Sequence, residues 1–122
     1  MARVLVVDDD GHVRSTLRTL LESDGHEVKV ADDGVSATRI LGQYCPDVLV
    51  TDLIMPDKEG LAMIIETRRC LPDTRIIAVS GGGLVASREY LRTAKALGAD
   101  LALPKPIDPA GFLLAVKDLV RR

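Results

Sequence analysis

Five polar side chains stand at or just past the ends of short apolar runs. Asp8 and Asp9 follow Val4–Val7, Asp52 follows Val48–Val50, Ser80 follows Ile76–Val79, and Lys105 follows Leu101–Leu103. Each run is aliphatic and non-alternating, the pattern of a strand buried on both faces. In a parallel sheet such strands end along one edge, where open α/β sheets hold their ligand crevice. Three carboxylates crowded there repel one another and call for a cation or a proton. A hard, oxygen-preferring ion such as Mg²⁺, with Mn²⁺ as a substitute, suits them and keeps room for the oxygens of a phosphoryl group. Lys105 adds positive charge and Ser80 a hydroxyl donor. A carboxylate nucleophile, charge neutralisation and positioning are the requirements of phosphoryl transfer, with Asp52 as the acceptor. Taken singly, each residue has a plainer reading: an acidic turn, a loop cap, a local backbone bond, a solvated charge. Their coincidence on one edge carries the inference.

The elements that must position them alternate. After Gly11, Val13, Leu17, Leu20 and Leu21 recur at helical spacing, and Gly25 closes that helix. Glu27 to Ala31 is a second strand, and Asp32-Asp33-Gly34 caps a helix through Ala37, Ile40 and Leu41 that Pro46 limits. Gly60 to about Leu71 is a helix with Leu61, Ile64, Ile65 and Cys70 inward, and Pro72-Asp73 is a turn before the strand Arg75 to Ser80. Gly81-Gly82-Gly83 reads as a loop with little rigidity. Ser87 to Leu97 is helical, with Gly98 as its cap. Asp108 and Pro109 open a last helix with Leu113, Leu114, Val116 and Val120 inward. Five strands alternating with helices predict one doubly wound α/β domain, a parallel sheet covered on both faces.

Composition narrows the function. Aromatic residues make up 2% of the chain, so the core is aliphatic and a base-stacking nucleic-acid surface is disfavoured. A net charge of -2 without a basic block gives no long-range pull toward nucleic acid or anionic membrane. Cys45 and Cys70 lack metal or redox spacing and read as small, reduced, buried hydrophobes. No secretory signal or membrane span is visible, so a cytoplasmic location is expected. His12 reads as a surface residue of the first helical turn, His26 as packing or capping after Gly25, and Tyr90 as an exposed residue of the fourth helix. No GxGxxG or GxxxxGKS/T is present, which disfavours a dinucleotide or P-loop site.

Val6 to Asp10, Asp52 to Pro56, Ser80-Gly81 and Leu103 to Pro106, with Gly98-Ala99-Asp100, resemble the ordered signatures of response-regulator receiver domains. The resemblance spans essentially the whole chain. It implies a flavodoxin-like fold with strand order 2-1-3-4-5, which the chemotaxis regulator of this family illustrates. It implies that Asp52 is phosphorylated, that Asp9 binds Mg²⁺ directly and Asp8 mainly through water, and that the Ile54 carbonyl is a further ligand, with Asp10 outside the metal pair. Ser80 would then bond the phosphoryl group, Lys105 would ion-pair with it, and the Lys105-Pro106 bond would be cis. One departure stands out. Receivers often carry an aromatic residue three positions before the lysine, and here that position is Ala102.

The expectation is a two-component response regulator in a single-domain form over residues 1–122, without an output domain. It would take a phosphoryl group from a sensor histidine kinase or a histidine phosphotransfer protein. It would then signal, through a surface around the fourth helix, fifth strand and fifth helix, to an unknown protein target, or relay the phosphate. It would catalyse its own phosphorylation and dephosphorylation without turning over an external substrate. The alternative is a non-phosphorylated protein-binding scaffold of the same fold. An aspartate-nucleophile phosphatase is disfavoured, because the second acid it needs two residues after Asp52 is replaced by Ile54.

Overall fold

The apolar runs become strands: β1 (Arg3–Val7), β2 (Glu27–Ala31), β3 (Val48–Asp52), β4 (Arg75–Ser80) and β5 (Leu101–Pro104). They pair in parallel in the order β2-β1-β3-β4-β5, as a computed structural model describing residues 2–53, 60–81 and 84–121 shows. Helices α1 (Gly11–Ser23), α2 (Gly34–Tyr44), α3 (Gly60–Cys70), α4 (Leu84–Leu97) and α5 (Pro109–Arg121) fill the connections. The flavodoxin-like order implied by the family resemblance is the order observed.

Alternate strand residues serve opposite layers. Leu5, Val7, Leu49, Ile76 and Ala78 pack with Ala37, Leu41, Met63, Ile64 and Ala94 of α2, α3 and α4. Val4, Val6, Val50, Ile77 and Val79 pack with Leu17 and Leu21 of α1 and Phe112, Val116 and Leu119 of α5. Both faces are therefore buried, which is why the strands read as unbroken aliphatic runs.

Local chemistry sets the helix ends. Asp10 caps α1 by accepting the His12 N–H at 2.9 Å, and Asp33 caps α2 by accepting the Ser36 N–H at 2.8 Å. Asp108 accepts the Gly111 N–H at 2.9 Å at the start of α5. The C-cap of α2 is Cys45, in a left-handed conformation at φ 48°. Gly98, at φ 125°, lets the chain turn from α4 into β5.

Several expectations need correction. Cys45 and Cys70 are exposed rather than buried, because each stands at a helix end beyond the packed face. Met63, Ile64 and Thr67 are the buried side chains of α3, whereas Ile65 is 48% exposed. In α5 Phe112, Val116 and Leu119 face the sheet, leaving Leu114 64% exposed and Val120 exposed. Helix α4 starts at Leu84, three residues before the predicted start. Tyr90 is half-buried and packs from α4 against the core. His26 accepts the Ala2 N–H through Nδ1 at 3.1 Å, and so ties the N-terminus of β1 to the start of β2.

Arg68 is a structural junction that the sequence does not announce. Its guanidinium donates to the Gly98 carbonyl from Nε (3.2 Å) and Nη2 (2.6 Å), and to Asp100 Oδ2 at 3.0 Å. Nη1 donates to the carbonyls of Pro72 (2.9 Å) and Thr74 (3.0 Å). Asp100 Oδ2 also accepts the Ile76 N–H at 2.8 Å, so one planar fork joins the end of α3 to both β4 and β5.

Candidate functional site

Parallel pairing brings the strand ends together as expected. Asp8 stands just after β1, beside Asp52 at the end of β3, and both are buried, at 2% and 7% exposure. Asp9 is exposed above them. Carboxylate oxygens of Asp8, Asp9 and Asp52 all lie within 4.8 Å of one another. Asp10 stays outside this group because its carboxylate caps α1.

Lys105 reaches across from the segment after β5. Its Nζ lies 2.9 Å from Asp8 Oδ2 and 3.5 Å from Asp52 Oδ2. Burial works against the charge of this lysine, but the hydrogen bond to Asp8 and the attraction of Asp52 outweigh it and raise its pKa above the ordinary 10.5. The two neighbouring carboxylates thus favour the charged ammonium form. Its backbone N–H donates to the Ser80 carbonyl at 2.9 Å, and the Lys105-Pro106 peptide is cis. Ser80, 1% exposed, ends β4 one residue past Val79, the register partner of Asp52. Ile54, expected to offer a carbonyl, lies outside the described residues.

One lysine against three carboxylates leaves excess negative charge at this edge of the sheet. All the donors are hard oxygens, and two are held in place by burial. That donor set fits a divalent ion of the Mg²⁺ class, which accepts one or two carboxylates and retains water.

The structure also shows supporting residues that sequence reasoning missed. Arg14, one turn into α1, donates from Nη1 to the Asp8 carbonyl at 2.8 Å, and the Asp10 N–H donates to Asp8 Oδ1 at 2.9 Å. Asp8 is therefore held through both its backbone and its side chain. Gly60, the first residue of α3, lies so close to the end of β3 that a Cβ would overlap the Asp52 carbonyl oxygen and fall 2.6 Å from Leu53 Cα. Gly81 lies against the stem of Lys105, where a Cβ would stand 3.1 Å from Cδ. The first glycine of the triplet thus serves close packing rather than only looseness. Ala102, at the position where an aromatic is usual, is half-buried at the rim of the α2, α3 and α4 layer. His12 is exposed, and with Val13, Thr16, Leu17, Pro106 and Ile107 it borders an apolar hollow of about 460 Å³ beside Lys105.

Comparison with known proteins agrees with this geometry. The family model of the response regulator receiver domain matches residues 4–117. Among curated relatives, the response regulator MprA of Mycobacterium leprae is 37% identical over 120 residues, covering 98% of this chain and 51% of the relative. Its counterpart in Mycobacterium ulcerans is 38% identical, covering 98% and 50%. The chain thus spans about half the length of the curated relatives it matches. Among solved structures, a response regulator receiver domain protein from Clostridium thermocellum superposes with a TM-score of 0.92 at 29% identity, covering 100% of this chain and 96% of that one. The chemotaxis response regulator CheY4 of Vibrio cholerae gives 0.87 at 30% identity, with 98% of each chain covered. No helix among the described residues is long and apolar enough to cross a membrane.

Proposed function

Since the chain belongs to the response regulator receiver domain family, we propose that Asp52 accepts a phosphoryl group from a phosphohistidine donor, either a sensor histidine kinase or a histidine phosphotransfer protein. The observation that carries this reading is the charged Lys105 bridging Asp8 and Asp52 at the strand ends.

A carboxylate oxygen of Asp52 attacks phosphorus. The N–P bond of the donor breaks, its electron pair stays on the imidazole nitrogen, and an acyl phosphate forms on Asp52. Lys105 is close enough to both carboxylates to follow the charge as it moves onto the phosphoryl oxygens. Ser80, at the end of the neighbouring strand, offers a hydroxyl to the same group. Asp8, Asp9 and Asp52 would hold a Mg²⁺ ion, whose role is to neutralise the phosphoryl oxygens and orient them. The apolar hollow between α1 and the 105–107 segment opens beside Lys105, and it would seat the donor with its phosphohistidine turned toward Asp52. The added charge would then bias a two-state surface around α4, β5 and α5 that a downstream protein reads. The chain would act on its own acyl phosphate and turn over no external substrate.

Incubation with acetyl phosphate and MgCl₂ tests this reading. The expected result is a gain of about 80 Da, one phosphoryl group, lost on treatment with hydroxylamine and absent in Asp52→Ala. An unmodified wild-type chain, or an adduct that persists in Asp52→Ala, would overturn it.

A further inference from the structure

Two thiols border one hollow at the end of the sheet opposite Asp52. Cys45 caps α2, Cys70 ends α3, and both are exposed. Both line a hollow of about 240 Å³ together with Asp47, Asp73 and Thr74. The segments carrying them are fastened side by side. Thr74 Oγ1 donates to the Pro46 carbonyl at 2.8 Å, and the Arg75 N–H donates to the Asp47 carbonyl at 2.9 Å. Cys45 immediately precedes Pro46, and Cys70 lies one turn of chain before Thr74. Neither cysteine belongs to either core cluster, so packing does not account for them. They are the chain's two cysteines, and they face a common space.

We propose that Cys45 and Cys70 form an oxidisable dithiol site that closes to an intramolecular disulfide in the presence of a low-molecular-weight disulfide. One cysteine thiolate attacks a sulfur of the small disulfide, whose S–S bond breaks and releases a first small thiol. The second cysteine thiolate attacks the protein-side sulfur of the resulting mixed disulfide and expels the second small thiol. The two cysteines are oxidised by two electrons, the small disulfide is reduced by two, and the two cysteine protons end on the two small thiols. A disulfide needs Cα atoms within about 7 Å, so closure would fix the last turn of α3 beside the C-cap of α2. The covalent loop encloses β3, Asp52 and all of α3, including Gly60 against the Asp52 carbonyl. Oxidation at one end of the sheet would thus restrain the elements that build the other. The proposal stands apart from any role of Asp52 in phosphoryl transfer.

The test uses the full chain incubated with oxidised glutathione, quenched in acid and weighed intact without reductant. The expected wild-type product is lighter by about 2 Da, the loss of two hydrogens, yields a linked peptide pair containing Cys45 and Cys70, and reverts with dithiothreitol. Cys45→Ser and Cys70→Ser, which match the wild-type urea midpoint because both sites are exposed, stop at one glutathione adduct per chain. A wild-type chain that collects two adducts, cross-links to a second chain or stays unmodified overturns the proposal.

Discussion

Removing the Arg68 guanidinium tests whether one side chain joins α3 to the α4–β5 turn. In Arg68→Ala the carbonyls of Gly98, Pro72 and Thr74 and the carboxylate of Asp100 all lose a donor. The carboxylate keeps the Ile76 N–H, so the loss falls mainly on three carbonyl oxygens. At about 1 kcal/mol net for each bond, reduced where water reaches the vacated acceptor, the cost is about 2–3 kcal/mol. The Arg68 side chain is 29% exposed, so solvent replaces only part of what is lost. With a urea m-value of about 1–3 kcal/mol/M, the midpoint falls by about 1–3 M. Arg68→Lys restores the charge but cannot span four acceptors with one ammonium group, so it recovers less than half the loss. Urea denaturation followed by circular dichroism measures all three proteins. A Lys variant equal to wild type, or an Ala variant within about 0.5 kcal/mol of it, would refute the bridging role.

Gly60→Ala forces a methyl group onto backbone atoms of Asp52 and Leu53 that no rotamer change can clear, so a loss of about 3 kcal/mol is expected in the same assay. Gly42→Ala, in α2 with nothing within 4 Å of the new methyl, is the control and should gain about 0.5–1 kcal/mol; equal midpoints for the two variants would show that Gly60 is not tightly packed. Burial, then the carboxylate of Glu27, push the Tyr44 phenol up to about 12 from 10.0, against a smaller opposing effect of Arg3. The fold therefore favours the neutral phenol, and the associated stability is present below pH 10 and lost as pH rises toward 12, by up to about 3 kcal/mol. Urea midpoints of wild type should fall relative to those of Tyr44→Phe across that window, and parallel curves would contradict it.

The strand ends were legible because a parallel sheet buried on both faces leaves its mark as aliphatic runs, and the polar residue after each run stands out. Helix faces were less legible. In α3 Met63, Ile64 and Ile65 are consecutive and apolar, and in α5 Phe112, Leu113 and Leu114 are too, so periodicity alone admits neighbouring faces. Contact with the sheet selects Met63 and Phe112 and turns Ile65 and Leu114 outward. At the site, Asp8, Asp9, Asp52 and Lys105 meet as their positions implied. Arg14, Gly60 and Gly81 were hidden because their roles depend on close approach between distant backbone segments, which no local pattern records. The exposure of Cys45 and Cys70 was hidden in the same way: small sulfur side chains are usually buried, and only the helix ends show that these two are not.

The strand order leaves β2 and β5 as the two sheet margins, and both are poor templates for a further strand. Strand β5 has four residues and ends at Pro104, which has no N–H to offer a newcomer, with Pro106 two residues beyond. Strand β2 turns Glu27 and Lys29 to solvent. Brevity, proline and exposed charge at sheet margins discourage edge-to-edge self-association. The same prolines that flank Lys105 beside the acidic cluster thus also stop the sheet from growing, so solubility at this margin and the placement of the lysine depend on the same few residues.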